Sequence, residues 1–266
     1  MNDTGVPCSV AARFGVAATT YDEHCDIQRK VARSLADAIT NVGNAERVLE
    51  VGCGTGNLTG LLVERFPRAV IHAVDIAETM IERARRRLGD SPRILWRAAD
   101  ARQLTEGRAF PVIASSSALH WMVPVAETLQ RLADLLEPTG HLHAALMVNG
   151  TFEELDGARK RVTPKKLSRV VLPESRAVLE AVGAAGLCVY ESREEMLRAN
   201  YESAGAFLRS LHLQGVTGGM ASNPTMLNRG ELRELMADYQ RFYECPSGGV
   251  FATYRVLYFH ARKGKR

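Results

Sequence analysis

Ile27, Val31, Leu35 and Ile39 recur four residues apart, with Gln28, Arg29, Lys30, Arg33 and Ser34 among the residues between them. That stripe predicts a helix, which the pattern allows to run from Arg13 to Ile39. After it the pattern changes, and short apolar runs alternate with amphipathic stretches. Strands are predicted at VLEV (48–51), VIHAVD (70–75), ILWRAAD (94–100), PVIASSSALHW (111–121) and HLHAALMV (141–148). Helices are predicted between them at 57–65, 77–88 and 124–136. The fourth run is apolar and then small, as suits a strand buried on both faces. Farther on, Thr151 with Glu154 fits a capping box and predicts a helix to about residue 161. Helices at 174–185, 203–213 and 229–243 follow, the last with Asn228 as N-cap. Strands are expected at 187–197 and 250–263, where VFATYRVLYFHARK alternates as an antiparallel strand does. Strands and helices that alternate five times predict a parallel sheet with helices on both faces. The last two strands read as a hairpin-like pair.

The chemistry gathers where the first strand ends. VLEVGCGTGNLTG (48–60) closes an apolar run on Glu50 and then places Gly52, Gly54 and Gly56 at alternate positions. Glycine lets a chain turn sharply and lets a ligand lie close against the backbone. A dinucleotide fingerprint needs G-x-G-x-x-G. Counted from Gly52 the sixth position is Asn57, and from Gly54 it is Thr59, so neither frame fits. The pattern E-x-G-x-G-x-G instead resembles motif I of class I S-adenosylmethionine (SAM) methyltransferases. Two further acids sit at predicted strand tips. Asp75 is placed to take the ribose hydroxyls, and the resemblance implies that Asp100 contacts the adenine amino group.

Composition narrows the class. The chain has 266 residues, 46% of them hydrophobic, enough for one large α/β domain with a lid. No apolar run approaches the roughly 18 residues of a membrane span, and MNDTGVPCSVAARFG lacks a secretory apolar core. A cytoplasmic protein is expected. Cys8, Cys25, Cys53, Cys188 and Cys245 are scattered and odd in number, which fits reduced thiols better than a disulfide framework or zinc site. Neither H-x-x-x-H nor paired Cys/His is present, so no metal is expected. There is no G-x-S-x-G elbow either. A net charge of +4 is too small to argue for nucleic acid, but it suits an acidic partner. The most basic stretch, ARKRVTPKKLSR, carries Arg159, Lys160, Arg161, Lys165, Lys166 and Arg169.

A carboxylate acceptor needs no general base near pH 7, because its oxygen is already anionic. It needs cationic and hydrogen-bonding groups to orient it. Tyr21, His24, Lys30, His120, Arg209, His212, Tyr254 and Arg255 are the polar candidates for such a pocket.

Several stretches together resemble the malonyl-acyl-carrier-protein O-methyltransferase family of biotin synthesis. They are RFGVAATTYDEHCDIQ (13–28), VLEVGCGTGNLT (48–59), SSSALHW (115–121), GTFEEL (150–155), FLRSLHLQGVTG (207–218), RGELRELMADYQRFY (229–243) and FATYRVLYF (251–259). The resemblance implies a Rossmann-like α/β fold with a seven-stranded sheet, strands one to five parallel and strand seven antiparallel. It implies one methyltransferase domain over 1–266, with an N-terminal helical arm at 13–40 and lid segments at about 150–170 and 202–228. The cofactor would be S-adenosyl-L-methionine, held by Gln28, Glu50, Gly52, Cys53, Gly54 and Gly56, with Asp75, Ile76, Asp100, Ala101 and Ser116. Tyr21, His120, Trp121 and Arg209 would form the acceptor pocket. The reaction would esterify the free carboxyl of malonyl-acyl-carrier protein, with the basic stretch docking that acidic partner. Two other readings stay open. One is a methyltransferase of a small free acid such as trans-aconitate, and the other is a non-catalytic SAM-binding protein. A nucleic-acid methyltransferase fits less well, since neither N-P-P-Y nor D-P-P-Y is present and the basic residues lack interleaved aromatics.

Overall fold

The computed structural model describes residues 5–40, 45–166, 171–216 and 227–264. Helices α1 (Gly5–Ala17), α2 (Tyr21–His24) and α3 (Asp26–Ala38) come first, ahead of β1 (Arg47–Val51). Then follow α4 (Asn57–Arg65), β2 (Val70–Asp75), α5 (Glu78–Leu88), β3 (Ile94–Ala98), β4 (Phe110–Ser116), α6 (Val125–Leu135) and β5 (Leu136–Met147). The last part holds α7 (Glu153–Val162), α8 (Ser175–Ala184), β6 (Leu187–Tyr201), α9 (Ala204–Leu213), α10 (Arg229–Phe242) and β7 (Val250–Lys263).

The strands form one sheet in the order β3-β2-β1-β4-β5-β7-β6. The pairs among β1 to β5 are parallel, and β7 runs antiparallel to both β5 and β6. This is the expected seven-stranded α/β sheet. The order reverses at β1, which has β2 on one side and β4 on the other. The carboxyl ends of neighbouring strands there leave a crevice, the usual ligand position in such sheets.

Alternate residues of the strands feed two apolar layers. Val48, Ile71, Val112 and Ala114 pack with Val31, Leu35 and Ile39 of the N-terminal region and with Leu58 and Leu62 of α4. The same layer takes in Phe152, Phe207, Leu235 and Tyr239, so α9 and α10 share the core of the sheet. Leu49, Val51, Ile113 and Leu142 face the other way, onto Leu129 and Leu132 of α6 and Val178 and Val182 of α8.

Four expectations need correction. The helix predicted over 13–39 is three helices. Thr20 breaks it, because its hydroxyl donates to Ala17 O (3.2 Å) and to Leu213 O (2.8 Å) rather than leaving the helix ladder to continue. The fourth strand stops at Ser116 instead of reaching 121. Ser117 takes φ +56, and Leu119–Trp121 is a single 3-10 turn. The capping box at Thr151 and Glu154 does not form. Phe152 holds the N-cap position at φ +61, and the Thr151 hydroxyl accepts from Arg255 N–H (2.9 Å). Glu154 is buried and accepts from Thr253 N–H (3.0 Å). The sixth strand runs to Tyr201, not 197. At α10, by contrast, Asn228 makes the expected cap, with Glu231 closing a full capping box.

Candidate active site

The glycine turn after β1 is tied to β2. Gly52 N–H and Cys53 N–H both donate to Val74 O, at 2.8 and 3.0 Å. Gly52 has φ +72, and a Cβ on it would come within 2.1 Å of Ala118 Cβ. Gly54 has φ +53, and a Cβ there would meet nothing within 4 Å. One glycine is therefore needed for packing, while the other opens onto free space. Asp75 at the tip of β2 braces the turn. Its carboxylate accepts from Gly54 N–H (2.8 Å) and Ala77 N–H (2.9 Å).

The free space is a cavity in the crevice between β1, β2 and β4. Gln28, Glu50, Gly52, Cys53, Gly54, Asp75, Ile76, Asp100, Ala101 and Ser116 all line it. Gly56 does not. It caps α4 at φ +84 and faces Leu88 and Ala84, so its role is the fit of α4 against α5. Glu50 is buried, and burial pushes its carboxyl up to about 8. Its Oε2 is buried with no partner. Burial also raises the Asp75 carboxyl. Asp100 caps the turn Ala101–Gln103 and holds the Arg102 guanidinium with both oxygens. Burial alone would raise its carboxyl, but the Arg102 hydrogen bonds bring it below its ordinary value.

A second cavity adjoins the first. Phe14, Tyr21, Gln28, Ser117 and Trp121 line both, so they mark the junction. His120, Met147, Phe152, Leu172 and Val216 extend the second cavity. Trp121 packs edge-on against Phe14, with ring centroids 5.3 Å apart. His120 is buried, and its Nδ1 accepts from Met147 N–H (3.3 Å). Burial drops the His120 imidazole to about 3. Burial also raises the Tyr21 phenol above its ordinary value, so it stays protonated.

The first three helices close over this region through polar contacts. Asp22 Oδ1 accepts from the Thr55 hydroxyl (2.6 Å) in the glycine turn, and Oδ2 accepts from Arg83 Nε (3.0 Å). Gln28 Nε2 donates to Gln214 Oε1 (2.9 Å), just past α9.

Two groups of expected residues lie elsewhere. Arg209 is exposed on α9 and lines neither cavity, so no arginine of this helix reaches the acceptor side. His24, Lys30, His212, Tyr254 and Arg255 also stay out of both linings. In the basic stretch, Arg161 is held by both oxygens of Asp238, and Lys166 pairs with Glu231 at 2.7 Å. Burial lowers the Arg159 guanidinium. Lys160 and Lys165 are exposed, and Arg169 lies outside the described residues. Sequence reasoning missed Ser117, Met122, Arg102 and Asp22. Ser117 and Met122 flank Leu119–Trp121, so the strand tip was the signal. Asp22 gave none, since its partners are 33 and 61 residues away.

Residues 48–140 match a family model described as a methyltransferase domain. A malonyl-acyl-carrier-protein O-methyltransferase of Anoxybacillus flavithermus is 39% identical over 143 residues, 54% of each chain. The biotin biosynthesis bifunctional protein BioCD of Bordetella avium is 32% identical over 96% of this chain and 52% of its own. The match thus spans about half the length of each of these two relatives. A malonyl-acyl-carrier-protein O-methyltransferase of Halorhodospira halophila is 30% identical over 95% of this chain and 86% of its own. Among solved structures, a geranyl diphosphate methyltransferase in complex with SAM superposes with a TM-score of 0.54 at 14% identity, over 88% of this chain and 85% of that one, which shows a shared fold. With near full-length similarity to the Halorhodospira enzyme, the chain belongs to the malonyl-acyl-carrier-protein O-methyltransferase family of SAM-dependent enzymes.

Proposed function

We propose that this chain transfers the methyl group of SAM to the free carboxyl of malonyl-acyl-carrier protein, an early step of biotin synthesis. The observation that carries the reading is the pair of cavities that meet at Phe14, Tyr21, Gln28, Ser117 and Trp121. One cavity is lined by acids and a glycine turn, and the other by apolar side chains and neutral polar groups. A cofactor and an acceptor can therefore lie end to end, and proximity of this kind is the main requirement of methyl transfer.

The residues fit the cofactor. Glu50 Oε2 is a buried acceptor without a partner, suited to a ligand ammonium. Gly54 leaves room for a ligand against the backbone, and Asp75 keeps lone pairs for ribose hydroxyls. Asp100, in the cavity lining and paired with Arg102, is the candidate for the adenine edge. SAM, when bound, supplies an activated methyl on a sulfonium. The arm over residues 13–40 keeps water from the junction, and the segments at about 150–170 and 202–228, of which 167–170 and 217–226 lie outside the described residues, act as the lid. In this reading Tyr21, His120 and Trp121 shape the acceptor pocket.

The acidic carrier protein docks where Lys160 at the end of α7 and Lys165 in the turn after it are exposed. The family name of the relatives supports this partner. No described helix is long and apolar enough to cross a membrane, and the pathway places the enzyme in the cytoplasm. Expression in a biotin auxotroph that lacks malonyl-acyl-carrier-protein O-methyltransferase tests the reading. Growth without biotin is expected from the wild-type chain and not from Asp75→Ala. No growth from a well-expressed wild-type chain that binds SAM would overturn it.

A further inference from the structure

The second cavity contains a feature that the carboxylate reading does not anticipate. No described residue that lines it is cationic at neutral pH. What it offers instead is an uncharged donor. Met147 N–H occupies His120 Nδ1, so the neutral ring must carry its proton on Nε2. His120 Nε2 makes no hydrogen bond to any described residue, and it is not among the fully buried unpartnered atoms, so it opens onto the cavity whose wall His120 forms. The Ser117 hydroxyl, by contrast, is fully buried without a partner, so it does not open onto the cavity. Ser117 also holds φ +56, a left-handed conformation unfavourable for a non-glycine residue, which the β4 tip maintains through its N–H bond to Ala145 O (2.8 Å). The Thr151 hydroxyl is already committed to Arg255.

We propose that the acceptor carboxylate is positioned by a neutral donor, His120 Nε2–H, and not by a lysine or arginine of the described cavity lining. This rests on the carboxyl-methylation reading above and deepens it. A neutral donor leaves the counter-charge to the cofactor's sulfonium. It holds one carboxylate and gives a second one nothing to pair with, so free di- and tricarboxylic acids are poor acceptors beside a single terminal carboxylate on an acyl chain. Arg209, outside the cavity, takes no part.

Two measurements test this on the full chain. The first is the nitrogen-15 NMR signature of His120 at pH 7.5, assigned by its loss in His120→Gln. A neutral ring protonated on Nε2 is expected. An imidazolium, or a ring protonated on Nδ1, would overturn the proposal whatever the acceptor is. The second is the steady-state behaviour of His120→Phe and His120→Gln with malonyl-acyl-carrier protein. The phenylalanine variant should raise KM for the acceptor at least tenfold while SAM affinity, read by calorimetry, stays within twofold of wild type. The glutamine variant, which restores an N–H donor, should recover most of that loss. A phenylalanine variant with unchanged acceptor KM, or equal loss in both variants, would overturn the proposal. A wild-type chain that ignores malonyl-acyl-carrier protein would overturn the acceptor assignment instead, and the NMR result would still decide the state of His120.

Discussion

The glycine turn allows a prediction in which two neighbouring substitutions fail for different reasons. Gly52→Ala places a Cβ 2.1 Å from Ala118 Cβ at a position with φ +72. The left-handed conformation costs an L side chain about 1–2 kcal/mol. Overpacking against a neighbour that cannot rotate away costs about 1–3 kcal/mol more. The sum, about 2–5 kcal/mol, lowers the melting temperature by roughly 5–15 °C at this chain length. Gly54→Ala carries only the first cost, because a Cβ at φ +53 meets nothing within 4 Å. Its melting temperature should fall by only a few degrees. That Cβ nevertheless stands in the space assigned to the cofactor, so SAM affinity should fall tenfold or more, about 1.4 kcal/mol. Thermal melts of the free protein and calorimetric titration with SAM separate the two effects. A Gly54→Ala protein that binds SAM as wild type does would refute the placement of the cofactor against the turn. A Gly52→Ala protein as stable as Gly54→Ala would refute the packing argument.

Three further outcomes are expected. Asp22→Ala removes the bonds to Thr55 and Arg83, each a hydrogen bond to a charged group worth about 1.5–3 kcal/mol. Stopped-flow release of SAM should then be about tenfold faster, and an unchanged rate would mean that the arm does not hold the cofactor. Glu50 has a carboxyl near 8 in the native state and an ordinary value of 4.5. The native state thus keeps a proton that the unfolded state releases, and stability without cofactor should fall as pH rises from 6.5 to 8. Glu50→Gln should flatten that slope and weaken SAM binding, and an identical slope in the variant would remove Glu50 as its source. His143 is buried beside His260, its Nδ1 2.6 Å from that of His260, and burial holds it near 3. The unfolded state then binds more protons below pH 6.5, so stability is lost as pH falls from 6.5 to 5, by about 2 kcal/mol for this histidine. Urea titrations should show His143→Gln with a shallower acid limb than wild type.

Much of the sheet could be read from the chain because its signals are local. Apolar runs set the strands, and the glycine turn needs only neighbouring residues to declare itself. Ten of the eleven residues assigned to the cofactor line the first cavity for that reason. Asn228 caps α10 as its position predicted. The misses involve partners distant in sequence. Thr151 and Glu154 have cap spacing too, but β7 draws both away through Arg255 and Thr253. Arg161 reads as part of a free basic run until α10 brings Asp238 to it. Arg209 lies on a helix whose periodicity is plain, yet only packing decides which way that helix turns its charged side. His120 was placed at a strand tip, and the 3-10 turn that orients its ring follows from the φ of Ser117, which composition does not reveal.

The central claim is the acceptor. Methyl transfer from labelled SAM should be measured with malonyl-acyl-carrier protein, malonyl-coenzyme A, free malonate and trans-aconitate offered separately. A base-labile methyl ester is expected on the carrier-protein thioester, with little on either free acid. Preferential methylation of free malonate or trans-aconitate would contradict it.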